Sequence, residues 1–189
     1  KSVAICSAYF PPEGSTCNNQ RDDYFDVLQN DIWYYKPKYD IVFSDFNART
    51  GELLEYNVHT DVNDDFTDTI VPTYSFLNSM NCKWKSNDGA NVNTFGRKLI
   101  DLCKSVNVRI TNGRLQDIPG RFTRMDTTGN STVDYCIVDH NSAIDVQKFT
   151  VEPQLPESDH LPLSIFLSHV HDNKQDVPCK QQKGINVVN

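Results

Sequence analysis

Apolar and polar positions mark out the elements of this chain before any chemistry is considered. Val3 to Phe10 is an apolar run stopped by Pro11-Pro12, because proline cannot donate to a strand ladder. From Asp22 to about Lys36, residues Phe25, Leu28, Ile32 and Tyr35 recur at three- and four-residue intervals and predict an amphipathic helix. A second strand, rich in β-branched and aromatic residues, runs from Tyr39 and ends abruptly at Asp45. Strand, helix, strand in this order reads as a layered α/β pattern.

Periodicity fades between Gly51 and Asn93, where Glu52, Glu55, Asp61, Asp64, Asp65 and Asp68 crowd the first half. The acid spacing of a calcium-binding EF-hand is absent, so a solvated surface excursion is expected. Pro72 to Trp84 scatters aromatics without a period and predicts irregular structure with at most a short strand. Asn93 then reads as the N-cap of a helix from about Thr94 to Val106, with Phe95, Leu99, Leu102 and Val106 as its core stripe. Val108 to Thr111 is a short strand and Asn112-Gly113 a turn. Phe122 to Met125 and Val133 to Asp139 read as a hairpin around Thr127-Thr128-Gly129-Asn130. Strands at Val146–Val151 and Leu163–Leu167 flank a loop from Pro153 to Glu157. From His169 onward no apolar period is left. The domain plan is therefore a folded unit over 1–168 and a flexible tail or linker over 169–189.

Composition narrows this picture only modestly. A length of 189 residues suits one domain, and 38% hydrophobic with 11% aromatic residues is enough for a core. The net charge of -7 argues against a generally basic nucleic-acid coat but leaves room for a local basic groove. No apolar run approaches membrane-spanning length, so no membrane partner is expected. Cys6, Cys17, Cys82, Cys103, Cys136 and Cys179 form no C-x-x-C pair. A reducing, intracellular setting follows as the expectation. Asn130-Ser131-Thr132 matches a glycosylation acceptor, a short motif of little weight. The chain enters a strand almost directly after Lys1, as a fragment or processed piece of a longer protein would.

Chemistry concentrates at strand ends. Asp45 and Asn47 lie two apart, which on a strand would place both side chains on one side. They serve either as a strand cap and turn or as a pair that handles water and a phosphate oxygen. Asp134 is a lone acid inside the otherwise apolar Val133-Asp134-Tyr135-Cys136-Ile137-Val138, where a charge needs a partner. Ser158-Asp159-His160 offers one. Tyr9, at a strand's carboxyl end, is either a packed aromatic or a hydroxyl that contacts phosphate. Between Arg97 and Arg124 the residues Arg97, Lys98, Lys104, Arg109, Arg114, Arg121 and Arg124 are opposed only by Asp101 and Asp117. That excess is either a phosphate-backbone surface or a set of ordinary solvated faces.

On these residues the chain resembles the endonuclease/exonuclease/phosphatase superfamily, which includes apurinic endonucleases, DNase I and inositol polyphosphate phosphatases. Tyr9 with Pro11 is similar to its Y-x-P segment, Ser44 to Asn47 to its G-D-x-N, Val133 to Tyr135 to its hydrophobic-D-Y, and Ser158 to His160 to its S-D-H. A closer resemblance is to the endonuclease domains of non-LTR retrotransposons of the craniate endonuclease-reverse transcriptase type. Y-x-P-P-E, G-D-F-N-A-R-T-G, N-x-x-G-R-x-L-x-x-x-C, x-N-G-R and S-T-x-D-Y-C-I-V have recognisable versions across about Val3 to Leu167.

The resemblance implies an α/β fold, a DNase I-like two-sheet β-sandwich flanked by helices in four layers, with its first strands missing. It implies a magnesium-dependent site, with manganese as a substitute ion. Asp45 would orient or deprotonate the attacking water and, with Asp159, bind the metal. Asn47 would hold the phosphate, Tyr9 would touch it, and His160, oriented by Asp134, would stabilise charge on the pentavalent phosphorus. Arg97, Arg114, Arg121 and Arg124 would meet a DNA phosphate backbone. A reverse transcriptase domain is the implied partner in a full-length protein, and a nuclear location follows if the element is active.

Two departures accompany the match. The family places an Asn and a metal-binding Glu upstream of Y-x-P, so this chain alone is expected to bind magnesium weakly and cleave poorly. The strand edge left by such a loss would invite pairing with another chain. Ser44 stands where the family has Gly and is expected to crowd the strand end. The leading function is a phosphodiesterase that nicks DNA. The alternatives are a phosphatase of the same fold, which the Asn47-Ala48-Arg49-Thr50-Gly51 continuation disfavours, and a catalytically dead fragment acting at most as a binding module.

Overall fold

The computed structural model describes residues 4–15, 23–35, 39–56, 88–89, 91–114, 117, 120–140 and 146–168. Its organising element is a mixed sheet. Strand β1 (Ala4–Tyr9) runs parallel to β2 (Tyr39–Asp45), joined through helix α1 (Tyr24–Tyr35). Helix α2 (Thr94–Val106) leads into β3 (Val108–Ile110), which pairs antiparallel with β6 (Asp134–Asp139). Because β6 also pairs antiparallel with β2, the sheet order is β1-β2-β6-β3. Among the described residues there are two further small sheets: β4 (Arg124–Asp126) with β5 (Gly129–Ser131), and β7 (Val146–Val151) with β8 (Leu163–Leu167).

Alternation along the central strands builds two cores. Val42, Tyr135 and Ile137 turn to one face and pack with Phe25, Leu28 and Ile32 of α1 and Phe95, Leu99 and Leu102 of α2. Ile41, Cys136 and Val138 turn to the other face and pack with Val146, Phe149 and Val151 of β7. The described residues thus form a helix layer, a four-stranded sheet and a two-stranded sheet. The first core is aromatic, with Phe10 centred 4.8 Å from Phe25 and 4.9 Å from Phe46. Cys6, Cys103 and Cys136 carry free thiols, and burial holds Cys136 up at about 12, so it behaves as an apolar side chain.

Three expectations need correction. The segment from Val133 to Asp139 is not the second arm of a hairpin. Residues 135–138 are buried on both faces, so this strand belongs in the middle of the sheet, while Gly129 to Ser131 closes the hairpin onto Arg124 to Asp126. Glu55 is not part of a solvated excursion: it is fully buried, and its Oε1 lies 2.5 Å from Arg114 Nη1. Ser44 does not crowd its strand, since its buried hydroxyl donates to Ala8 O at 2.8 Å and ties β2 to β1. The expectations for Asp61 to Asp68, for Pro72 to Trp84 and for the tail fall outside the described residues.

Candidate functional site

Strand register creates the site. Across the sheet Tyr9 is opposite Asp45, and Asp45 is opposite Asp134, a row of three on neighbouring strands. By alternation this row lies on the face away from the helices. Two carboxylates directly opposite each other repel, so such a pair persists only where other groups answer the charge. Burial pushes the Asp134 carboxyl above its ordinary value, and facing Asp45 raises it further, against hydrogen bonds from Thr123 and His160. Burial likewise raises Asp45, against the pull of the Asn47 amide, His160 and Arg124.

His160 is the answering group. Its Nδ1 lies 3.0 Å from both Oδ1 and Oδ2 of Asp134, which fixes the ring and leaves Nε2 as the other nitrogen. The loop that brings it there is pinned on both sides. Met125 N donates to Asp159 O at 2.8 Å, and Leu161 N donates to Thr123 O at 2.7 Å. Thr123 Oγ1 also accepts from Val133 N and Asp134 N, both at 3.0 Å. One fully buried threonine therefore links the start of β6 to the Asp159-His160 loop.

Asn47 reaches Asp45 by a different route from the one its spacing suggested. The strand ends at Asp45, and Asn47 sits at φ 46, in the left-handed region that Asn tolerates better than most residues. From there its backbone N donates to Asp45 Oδ1 at 2.9 Å. Its Nδ2 donates to Asp45 Oδ2 at 3.2 Å and to Phe10 O at 2.8 Å. Both carboxylate oxygens are held, and the amide hydrogens are committed within the protein. In this arrangement Asn47 aims Asp45 rather than offering a free donor.

A cleft of about 490 Å³ collects Tyr9, Glu13, Asp45, Asn47, Arg49, Asn93, Arg124 and His160. Among the described residues, Asp45, Asp134 and His160 place ligand atoms all within 4.8 Å of one another. Asp159 is turned elsewhere: its Oδ2 accepts from Arg124 Nε at 2.8 Å, and Arg124 also pairs with Asp126. The basic residues are dispersed. Arg97 is exposed on α2, and Arg121 is exposed with Nη1 donating to Val151 O at 3.0 Å. Arg124 lines the cleft. Arg114 is only 2% exposed, with Nη1 on Glu55 and on Ile110 O, so it cannot meet a DNA backbone on the surface.

Sequence alone gives Arg49, Asn93 and Thr123 no place in the site. Arg49 had a signal, standing inside the Asn47-Ala48-Arg49-Thr50-Gly51 continuation, and Asn93 was legible as a cap. Thr123 had none, because its neighbours come from three segments. Tyr135, beside Asp134, is fully buried, with its hydroxyl 3.1 Å from Ala48 O, 3.0 Å from Thr132 O and 3.1 Å from Thr50 Oγ1. No helix among the described residues is long and apolar enough to cross a membrane. Neither the family models nor the curated proteins compared with this chain match it.

Proposed function

We propose that this chain is a metal-dependent phosphodiesterase that nicks DNA, organised as a DNase I-like four-layer sandwich and acting as the endonuclease domain of a retrotransposon-like protein. The observation that carries the reading is the convergence of Asp45, Asp134 and His160, whose ligand atoms come within 4.8 Å from three distant segments. A hard divalent cation such as magnesium fits the two carboxylates of this cluster, with His160 outside its ligands, since it prefers oxygen and would relieve two facing acids whose burial disfavours ionisation. Asp45 would hold it, with Asp134 beside it; Asp159 would join only on release from Arg124. Bound there, such an ion would polarise a phosphoryl oxygen and make bound water more acidic.

The side chains supply the rest. Asp45, fixed by Asn47, orients water and accepts its proton. Asp134 holds the His160 ring through Nδ1, so that Nε2 faces the charge developing on the phosphoryl oxygens as a proton donor. Arg49 supplies positive charge along the cleft, Arg124 joins it once released from Asp159, and Tyr9, 64% exposed, presents a hydroxyl to the backbone being cut. The test is conversion of supercoiled plasmid to the nicked form with magnesium, with chelator and His160→Ala controls. His160→Ala is expected to lower the rate by about 10²-fold or more, as loss of a positioned acid-base group does. Nicking by the parent chain is expected to be slow; plasmid left intact even at high protein and magnesium concentration, or nicked equally by the variant, would end this reading.

A further inference from the structure

One carboxamide at the cleft does more than its place at a helix end requires. Asn93 Oδ1 accepts from Gly96 N at 2.7 Å, the ordinary task of an N-cap. The same oxygen accepts from Arg49 N at 2.8 Å, the Asn93 backbone N donates to Arg49 O at 3.1 Å, and Nδ2 donates to Asn47 O at 2.9 Å. Capping needs only an acceptor. The donor on Asn47 is surplus to it, and it falls on the residue whose left-handed backbone directs both of its N–H contacts to Asp45. Gly96 completes the joint. A Cβ at that position would lie 1.8 Å from Arg49 O, so the turn seats against the first turn of α2 only because no side chain intervenes.

We propose that Asn93 is a positioning residue for phosphodiester cleavage: through Asn47 it fixes the 45–49 turn and the direction of the Asp45 carboxylate. This inference rests on the phosphodiesterase reading above. The contacts run in sequence from Asn93 to the Asn47 carbonyl, then from the Asn47 amides to both Asp45 oxygens. Without the first contact, the left-handed residue keeps its neighbour Arg49 tied to the helix but loses its own tie, and Asp45 loses its fixed aim. A misplacement of about 1 Å in a reacting group can lower a rate about 10²-fold without weakening substrate binding.

Asn93→Ser separates the two tasks, because serine caps a helix about as well as asparagine but has no amide donor. Amide hydrogen exchange and plasmid nicking with magnesium would be measured on the parent chain and this variant. The helix should keep its protection, and exchange at Asn47 should speed up about tenfold, as expected when a local tie worth about 1.4 kcal/mol is lost. The rate at saturating DNA should fall between about 10- and 100-fold, while KM stays within about threefold. Unchanged exchange in the turn, or an unchanged saturating rate, would overturn the proposal. A parent chain that cannot nick DNA refutes the phosphodiesterase reading instead, and the exchange pattern still decides whether Asn93 holds the turn.

Discussion

Asp45 and Asp134 face each other across β2 and β6, each raised above 3.8 chiefly by burial. A carboxyl that titrates higher in the folded chain than in the unfolded one contributes stability that is full below 3.8 and is lost as the pH rises through its folded value. Asp45→Asn removes one such group and the repulsion it exerts on the other. For metal-free protein, the melting temperature of Asp45→Asn relative to the parent should therefore climb with pH across that window. A difference that stays flat with pH in differential scanning calorimetry would contradict this account. Local sequence hinted at part of the pair, since a lone acid in an apolar strand needs a partner. The register that makes the other acid its neighbour was not legible there.

At the scale of elements, α2 gives the sharpest case of packing overriding propensity. Gly96 lies in the first turn of a helix whose Asn93 cap and Leu99, Leu102 and Val106 stripe are plain in the sequence. Propensity alone says that alanine there should stabilise by about 1 kcal/mol. The contact of that missing Cβ with Arg49 O says otherwise. Gly96→Ala should destabilise the protein by about 1–3 kcal/mol, as overpacking does, and a denaturant melt reads the sign directly. A stabilised variant would mean that the turn and helix are not seated as described. The other element-level lesson is β6, whose apolar run reads equally as a hairpin arm or a central strand; only the cover on both of its faces decides between them.

For the whole molecule, the basic stretch from Arg97 to Arg124 divides into two populations. Arg97 and Arg121 are exposed, whereas Arg109 and Arg114 are buried, with Arg114 on Glu55. Removing one partner of a buried pair strands the other charge, so Arg114→Ala should cost about 3–5 kcal/mol. An exposed change such as Arg97→Ala should stay within about 0.5 kcal/mol. Urea unfolding of both variants would separate these roles, and similar midpoints would show that Arg114 is not an internal tie. By itself the sequence determined the two helices among the described residues, most of their strands, the α/β pattern and several of the polar residues that meet at the cleft, because periodicity, caps and strand-end acids are local properties. The order of the sheet, the facing of Asp45 and Asp134, the capture of Asp159 by Arg124 and the burial of Glu55 with Arg114 were decided only by tertiary structure. Each joins residues far apart in the chain, and register and burial are set by which faces find cover rather than by neighbours in sequence.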